Sequence, residues 1–243
     1  MDDVGASSKQ FEVYSKRFLG NVLFLKYYWP FKAWGPYREL DQNDWRKILA
    51  ILKCFNMKIT VGMTACWVEK DNSLVSYPEK FPKAAEVIKQ GVKEGFLEVA
   101  NHGLTHCIIG KHLPKLFNSN RKFHREFYYW VDKEIQTEHI KRSQEILQNF
   151  FDTRVITFIP PGGVWIDETE KIAVKHGLKY LCASSAKTGK KSNGIVYIGD
   201  EVSLTFHDRD LIINEVHWLK EKLIGLEKKS YEVATVKEFI RHP

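Results

Sequence analysis

Imidazole side chains follow one of the apolar runs of the sequence at a spacing that suits metal binding. His102 and His106 lie four residues apart, directly after the apolar run 96–100. Histidines at this spacing can face one centre if the second lies in a first helical turn. The alternative is a hydrogen-bonded pair on the surface or in the core. The position directly after a predicted strand favours the metal site.

An aspartate pair and another histidine extend this set. Asp2 and Asp3 are adjacent, and His207 follows the apolar run 202–206. In a carboxylate pair, one member can bind a metal while the other acts as a base. An imidazole at a strand end can act as a general acid or base near neutral pH. The structural alternatives are a solvated terminus for the aspartates and a helix cap for His207.

Loop segments supply candidate substrate contacts. Pro161 and Gly162 follow the run 155–158 and predict a tight turn, which can form a rigid wall beside a pocket. Aromatic residues in segment 27–37 can stack on the rings of a ligand or pack on the core, and basic residues in segment 118–127 can bind hydroxyls or phosphate or remain solvated. The residues predicted to bind substrate are Trp29, Trp34, Tyr37, Arg121, Arg125, Pro161 and Gly162.

Composition indicates one domain covering residues 1–243, with 44% hydrophobic residues. The net charge of +7 favours an anionic partner or a basic solvated surface, because the basic residues form no long block. No nucleic-acid-binding motif is present, so no nucleic-acid partner is expected. The cysteines form no C-x-x-C pair and predict buried, reduced thiols. Without an apolar stretch of membrane-spanning length or a signal peptide, we expect a cytoplasmic protein.

Strand and helix patterns alternate along the chain. Buried strands are predicted at 58–64, 96–100, 155–158, 179–183 and 202–206, and helices at 44–54, 83–94, 138–150, 167–176, 209–226 and 235–241. This alternation predicts βαβ units, a parallel sheet, and a closed or nearly closed barrel. In such barrels the chemistry gathers at the carboxyl ends of the strands, where the histidines lie.

In this order, the motifs resemble the polysaccharide deacetylase family, carbohydrate esterase family 4. Asp2-Asp3 matches the family's Asp-Asp, segment 102–106 its His-x-x-x-His, segment 161–163 its proline–glycine loop, and His207-Asp208 its terminal His-Asp. The resemblance covers almost the whole chain. It implies an α/β fold, a distorted (β/α) barrel of about seven parallel strands.

The same resemblance implies site roles and a reaction. Asp2 would be the general base and His207 the general acid, while Asp3, His102 and His106 would bind a divalent metal, expected to be Zn²⁺. The implied reaction is metal-dependent hydrolysis of the acetamide of an N-acetylated sugar. We expect the substrate to be a glycan or a lipid-linked saccharide, with an anionic carrier suited to the positive charge.

The sequence departs from the family pattern in three places. Ile159 stands where the family has an arginine that steadies the base, so Arg121 or Arg125 is expected to reach Asp2 instead. No Asp-x-x-Asp-Trp motif lies between Trp165 and His207. Only Met1 precedes the aspartate pair, so the first barrel strand is expected to be largely missing from this chain and to lie upstream.

These departures leave other functions open. A catalytically impaired glycan-binding pseudoenzyme is the main alternative. A hydrolase of a different amide on the same scaffold is another, because a fold does not determine a function. A nucleic-acid binder would rest on the net charge alone.

Overall fold

The computed structural model describes residues 1–10, 25, 38–113 and 121–240. Within them the helices are α1 (Gln42–Phe55), α2 (Tyr77–Lys80), α3 (Pro82–Lys93), α4 (Lys133–Phe151), α5 (Asp167–Lys175), α6 (Asp208–Ile213), α7 (His217–Glu227) and α8 (Val236–Phe239). The strands are β1 (Ile59–Met63), β2 (Cys66–Val68), β3 (Leu74–Ser76), β4 (Leu97–Asn101), β5 (Thr157–Phe158), β6 (Tyr180–Cys182), β7 (Lys191–Ser192) and β8 (Ile195–Ile198).

The main sheet runs in the order β1-β4-β5-β6-β8-β7. Its strands are parallel except β7, which pairs antiparallel with β8, and β2 and β3 form a separate antiparallel pair. Because the helices alternate with parallel strands, the predicted α/β architecture is confirmed. The strand ladders of the described residues do not themselves close the sheet into a barrel.

Residues 1–4 extend the sheet beyond the free edge of β1. Val4 forms an isolated parallel bridge with Met63, and Asp2 forms one with His207. The Gly62 amide donates to the Met1 carbonyl at 2.7 Å, and the Asp2 amide donates to the Phe206 carbonyl at 3.1 Å. The aspartate pair is therefore held by backbone hydrogen bonds between β1 and the segment that carries His207.

Helix α1 shows how local sequence starts and ends the helices that cover the sheet. Asp41 caps it, accepting from the amides of Asn43 at 2.7 Å and Asp44 at 2.9 Å. It ends at Phe55, and the next residue, Asn56, has a left-handed backbone with φ 50°. Its buried face includes Trp45. The largest fully buried side chains of the core include Trp45, Ile48, Leu52, Met63, Tyr77, Ile88, Phe127 and Phe158.

Three sequence-based predictions of local structure are wrong. The run 202–206 forms no strand, and Val202 and Leu204 are 47% and 50% exposed. Its alternating apolar residues imitate a strand, but only residue 207 forms a bridge there. The helix predicted at 209–226 is broken between α6 and α7, where Glu215 has φ 61°. Cys54 is exposed rather than buried.

The remaining predicted strands and helices are present with shifted ends. Strand β5 covers only the second half of the predicted run 155–158. Helix α4 begins at Lys133, before the predicted start at residue 138. Strand ladders and helix ends depend on hydrogen-bond partners that apolar patterns do not reveal. No helix in the described part of the chain has the length and apolar character needed to span a membrane.

Candidate active site and metal centre

The loop after β4 carries both histidines of the His-x-x-x-His motif. The His102 amide donates to the Met63 carbonyl at 2.9 Å, which ties the start of the loop to β1. Gly103 and His106 both have left-handed backbones, with φ 80° and 57°. The expected helical turn at His106 is absent, so this turn conformation, and not helical spacing, brings the second imidazole back toward the first. A left-handed non-glycine residue stores local strain of the kind that clusters at functional sites.

Asp3 and the two histidines converge at the carboxyl ends of β1 and β4. Oδ1 of Asp3 lies 3.2 Å from Nε2 of His102 and 3.1 Å from Nε2 of His106. One donor atom from each residue lies within 4.8 Å of the others, and all three residues are buried. No other cluster of this kind was found in the part of the chain that the structure describes.

The second nitrogen of each imidazole has its own partner. Nδ1 of His102 donates to the backbone carbonyl of Ile159 at 2.6 Å, and Nδ1 of His106 lies 3.1 Å from Oγ of Ser8. These contacts turn both Nε2 atoms toward Asp3, as outer partners of metal-binding histidines do. Ile159, at the expected place of the family arginine, thus contributes its backbone oxygen. The sequence offered no signal for that contact.

Arg209 is the cationic partner of Asp3. Its Nη2 donates to Oδ2 of Asp3 at 2.6 Å, leaving Oδ1 to face the histidines. Burial alone would raise the pKa of Asp3, but the neighbouring imidazoles of His102 and His106 and the charge of Arg209 hold that pKa well below its ordinary value. Asp3 is therefore a carboxylate at neutral pH. Its backbone is also left-handed, with φ 65°.

A buried charge network joins residues 3–9 to the segment after His207. Nζ of Lys9 donates to the Asp3 carbonyl at 2.7 Å and to Oε2 of Glu39 at 3.2 Å, and it also contacts Oδ2 of Asp208. Burial alone would lower the pKa of Lys9, but the carboxylates of Asp208 and Glu39 raise it. Burial raises the pKa of Asp208, and the charge of Lys9 opposes that rise. The network explains how the aspartate pair is held so near the start of the chain.

Asp2 and His207 lie beside this centre. Nε2 of His207 is 3.7 Å from Oδ1 of Asp2, and its Nδ1 is 3.5 Å from Oδ2 of Asp210. The hydrogen bond with Asp210 raises the pKa of His207 to about 9 against the opposing effect of burial, with help from the charge of Asp2. His207 is therefore protonated at neutral pH. It also precedes α6 as that helix's cap residue, so the two interpretations of this histidine are compatible.

The expected arginine partner of Asp2 is not found among the described side chains. Arg125 lies against the proline–glycine turn. A Cβ added to Gly162 would be 3.3 Å from Cγ of Arg125. Oδ1 of Asp2 is buried and has no hydrogen-bond partner in the described residues. The side chain of Arg121 lies outside the part of the chain that the structure describes. Arg209, which no sequence motif marks, stabilises Asp3 instead.

The other predicted substrate contacts are only partly visible. Pro161 is buried and begins a short 3₁₀ turn in which Gly162 has φ 67°. Trp29, Trp34 and Tyr37 lie outside the described residues. A cavity of about 730 Å³ lies beside this centre. The side chains of Asp2, Asp3, His106 and His207 form the polar part of its lining, and Ile159, Gly162 and apolar side chains of α7 also line it. A sugar-sized ligand therefore has room beside the three converging groups.

The donor set fits a divalent metal. One carboxylate oxygen and two imidazole nitrogens suit zinc and similar ions and leave positions open for water and substrate. Nε2 of His106 is buried and forms no aligned hydrogen bond within the described residues, although it lies 3.1 Å from Oδ1 of Asp3. A cation would satisfy this orphaned atom. The group therefore has the burial, charge and chemistry of a metal centre.

The profile of the polysaccharide deacetylase family matches residues 35–181, more than half of the chain. The matched region contains His102 and His106. A search of curated protein sequences found no match. The chain belongs to the polysaccharide deacetylase family. This family is generally metal-dependent, which agrees with the cluster of Asp3, His102 and His106.

Solved structures show the same fold at low sequence identity. A carbohydrate esterase family 4 (CE4) pseudoenzyme from Bacillus anthracis is 16% identical, with a TM-score of 0.50 over 82% of this chain and 61% of that one. The CE4 domain of a multidomain xylanase from the hindgut metagenome of Trinervitermes trinervoides is 13% identical, with a TM-score of 0.50 over 85% of both chains. A 4-alpha-glucanotransferase from Thermococcus litoralis is 13% identical, with a TM-score of 0.53 over 82% of this chain and 36% of that one. The chain thus spans about three fifths of the pseudoenzyme structure.

Proposed function

We propose that this protein is a metal-dependent carbohydrate N-deacetylase, which hydrolyses the acetamide of an N-acetylated sugar. The observation that carries the proposal is the convergence of Asp3, His102 and His106 at one end of the sheet, with Asp2 and His207 beside them. Membership of the polysaccharide deacetylase family supports the same reaction class.

Asp3, His102 and His106 would hold the metal, for which we propose Zn²⁺. A divalent cation bound there would polarise the amide carbonyl and increase the acidity of a water molecule. Arg209 keeps the Asp3 carboxylate charged, Lys9 holds the Asp3 backbone carbonyl, and Ile159 and Ser8 orient the imidazoles. These contacts prepare the donor set before any ligand arrives, so little reorganisation accompanies binding.

Asp2 and His207 would move the protons of the reaction. Asp2 accepts the proton of the attacking water, since its buried Oδ1 has no hydrogen bond among the described residues. His207, with a pKa raised to about 9, carries a proton that it can donate to the leaving amine. Amide nitrogen is a poor leaving group until it is protonated, so general acid catalysis contributes about 10²–10⁴ in rate.

We propose an N-acetylated glycan or lipid-linked saccharide as the substrate. The +7 net charge favours an anionic carrier. The cavity beside Asp2 and His207, with its mixed polar and apolar lining, has room for a sugar ring. Gly162 and Arg125 at the proline–glycine turn, and Pro161 beneath it, are proposed to form one wall, with Arg121, Trp29, Trp34 and Tyr37 as further proposed contacts.

The second candidate is a glycan-binding pseudoenzyme. It is favoured by Ile159 at the arginine position and by the absence of an arginine bond to Asp2 among the described side chains. The similar fold from Bacillus anthracis is itself described as a CE4 family pseudoenzyme. In this case the metal-binding group would persist while the proposed base lacks its usual support.

Acetate release from a panel of N-acetylated polymeric and lipid-linked sugars separates the two candidates. The metal-loaded protein should release acetate from at least one of them. His207→Ala should lower turnover and leave metal content nearly unchanged, whereas Asp3→Ala should lose both. His217→Ala, which removes an exposed imidazole on α7, serves as the control and should behave like the unaltered protein. Glycan binding without any acetate release would favour the pseudoenzyme.

A further inference from the structure

Glu126 lies under the loop that carries both histidines. Its Oε1 accepts from the Leu104 amide at 2.9 Å, and its Oε2 accepts from the His106 amide at 2.9 Å. The Thr105 amide donates to both oxygens, at 3.3 and 3.4 Å. Three consecutive backbone amides therefore point at one carboxylate. The loop wraps around this side chain instead of forming a helix or strand.

The carboxylate is anchored from the opposite side by α4. Nδ1 of His139 donates to Oε1 of Glu126 at 2.5 Å. The Glu126 side chain is only 1% exposed, and that of His139 is 13% exposed. Water competes little with these contacts, which strengthens hydrogen bonds to a charged acceptor. Glu126 thus connects the loop to a long helix of the scaffold.

The loop backbone at Gly103 packs directly against the Glu126 carboxylate. A Cβ added to Gly103 would lie 2.2 Å from Oε2 of Glu126. The neighbouring amide of Gly103 donates to Oδ1 of Asn101 at 2.8 Å. The backbone from residue 103 to residue 106 is therefore specified by side-chain acceptors at each step. The left-handed turn at His106 is one consequence, since its amide is bound to Oε2.

We propose that Glu126 is a positioning residue for the metal centre, with His139 as its anchor. Its carboxylate sets the loop backbone so that the imidazoles of His102 and His106 face Asp3. The inference rests on the metal site of the proposed function, but not on any substrate. It differs from the contacts to Ile159 and Ser8, which orient the rings, because Glu126 acts on the backbone between the rings.

Glu126→Gln tests the proposal, since the amide group cannot accept from all of the N–H groups that face it. We expect Zn²⁺ affinity, measured by chelator competition, to fall about 10–100-fold, as for other outer-shell changes at metal sites. Amide hydrogen exchange of Leu104 and His106, measured by NMR on the metal-free protein, should accelerate. His139→Gln keeps the carboxylate and removes its anchor, so it should produce smaller changes in the same direction.

Glu170→Gln is the matched control. Glu170 is equally buried and accepts from Nε1 of Trp165 at 2.7 Å and Nδ2 of Asn193 at 2.8 Å, but it contacts none of the proposed metal ligands. It should lower the melting temperature without changing Zn²⁺ affinity or the exchange of the Leu104 and His106 amides.

The outcomes separate this inference from the proposed function. Unchanged amide exchange in both Glu126→Gln and His139→Gln would overturn the positioning role, whatever the melting temperatures. So would a loss of Zn²⁺ affinity in Glu170→Gln as large as in Glu126→Gln. Faster exchange and weaker Zn²⁺ binding in Glu126→Gln, with no acetate released by the unaltered protein, would leave the inference standing and reject the deacetylase.

Discussion

At the scale of single residues, the site depends on charges paired away from water. Asp3 is held by Arg209, and both side chains are less than a tenth exposed. Removing one member of a buried pair leaves the other charge without compensation, which costs more than the pair contributes by itself. Asp3, a proposed metal ligand, therefore requires its pairing with Arg209 for the stability of the fold even before a metal binds.

We predict that Arg209→Met lowers the free energy of unfolding of the metal-free protein by about 3 kcal/mol at neutral pH. Arg38→Met is the control, because Arg38 pairs with Asp44 at 2.5 Å but its side chain is 49% exposed. An exposed pair contributes at most about 1 kcal/mol. Urea denaturation of both variants measures the difference, and equal losses would show that Arg209 is not an important partner of Asp3.

The second residue-scale prediction concerns the proton on His207. Its pKa is raised to about 9 chiefly by Asp210, so the imidazolium required of a general acid is present below that pH and is lost as pH rises through it. Asp210→Asn should lower the pKa and move the alkaline limb of the kcat profile to lower pH. A bound cation would move the alkaline limb to lower pH in both the unaltered protein and Asp210→Asn. The quantity to measure is therefore the difference in pH between the two limbs.

The control for this shift is Asp167→Asn, which removes the same charge from the exposed first turn of α5. Its alkaline limb should coincide with that of the unaltered protein. If Asp210→Asn also leaves the limb in place, a group other than His207 supplies the proton.

At the scale of elements, the loop after β4 does what a helix turn was expected to do. Its left-handed residues and its contacts with Glu126 bring His106 back toward His102. Glycine at residue 103 is required twice, by its φ of 80° and by the proximity of the carboxylate. Loop conformation, rather than helical periodicity, sets the distance between the two proposed ligands.

Gly103→Ala and Gly95→Ala form a matched pair for this loop. Both glycines have φ 80°, but a Cβ on Gly95 would meet nothing within 4 Å. We predict that Gly95→Ala costs about 1–2 kcal/mol, the usual penalty of a left-handed alanine. Gly103→Ala should cost more in urea denaturation and should also weaken Zn²⁺ binding. Equal costs and equal Zn²⁺ affinities would mean that the loop accommodates the methyl group.

At the scale of the whole molecule, the site joins distant parts of the chain. Residues 1–10 supply Asp3 and Lys9, the loop after β4 supplies the histidines, and the start of α6 supplies Arg209. A ligand that binds such a site stabilises the folded chain as a whole, because the unfolded chain does not hold these groups together.

We predict that Zn²⁺ at 100 times its Kd stabilises the protein by about 2.7 kcal/mol, and that a chelator reverses the effect. Thermal unfolding with and without Zn²⁺ measures it. His102→Ala and His106→Ala should each abolish most of the shift, while His217→Ala should retain it. Full metal content in either of the first two variants would refute the assigned ligands.

The sequence by itself determined the class of fold and the chemical types at the site. Apolar runs such as 58–64 and 96–100 and the cap at Asp41 encode local structure, because backbone geometry and side-chain period act over a few residues. The order of Asp2-Asp3, His102, His106 and His207 was sufficient to predict membership of the polysaccharide deacetylase family, and the family match confirms that membership.

Only the tertiary structure decided how these residues are supported. Arg209 meets Asp3 across 206 positions of sequence, and Lys9 meets Asp208 across 199. The Ile159 carbonyl acts through its backbone, where residue type gives no signal. The run 202–206 matched a strand pattern but has no strand ladder beside it. Such outcomes depend on which elements pack together and which partners burial leaves available, and local sequence does not encode either of these.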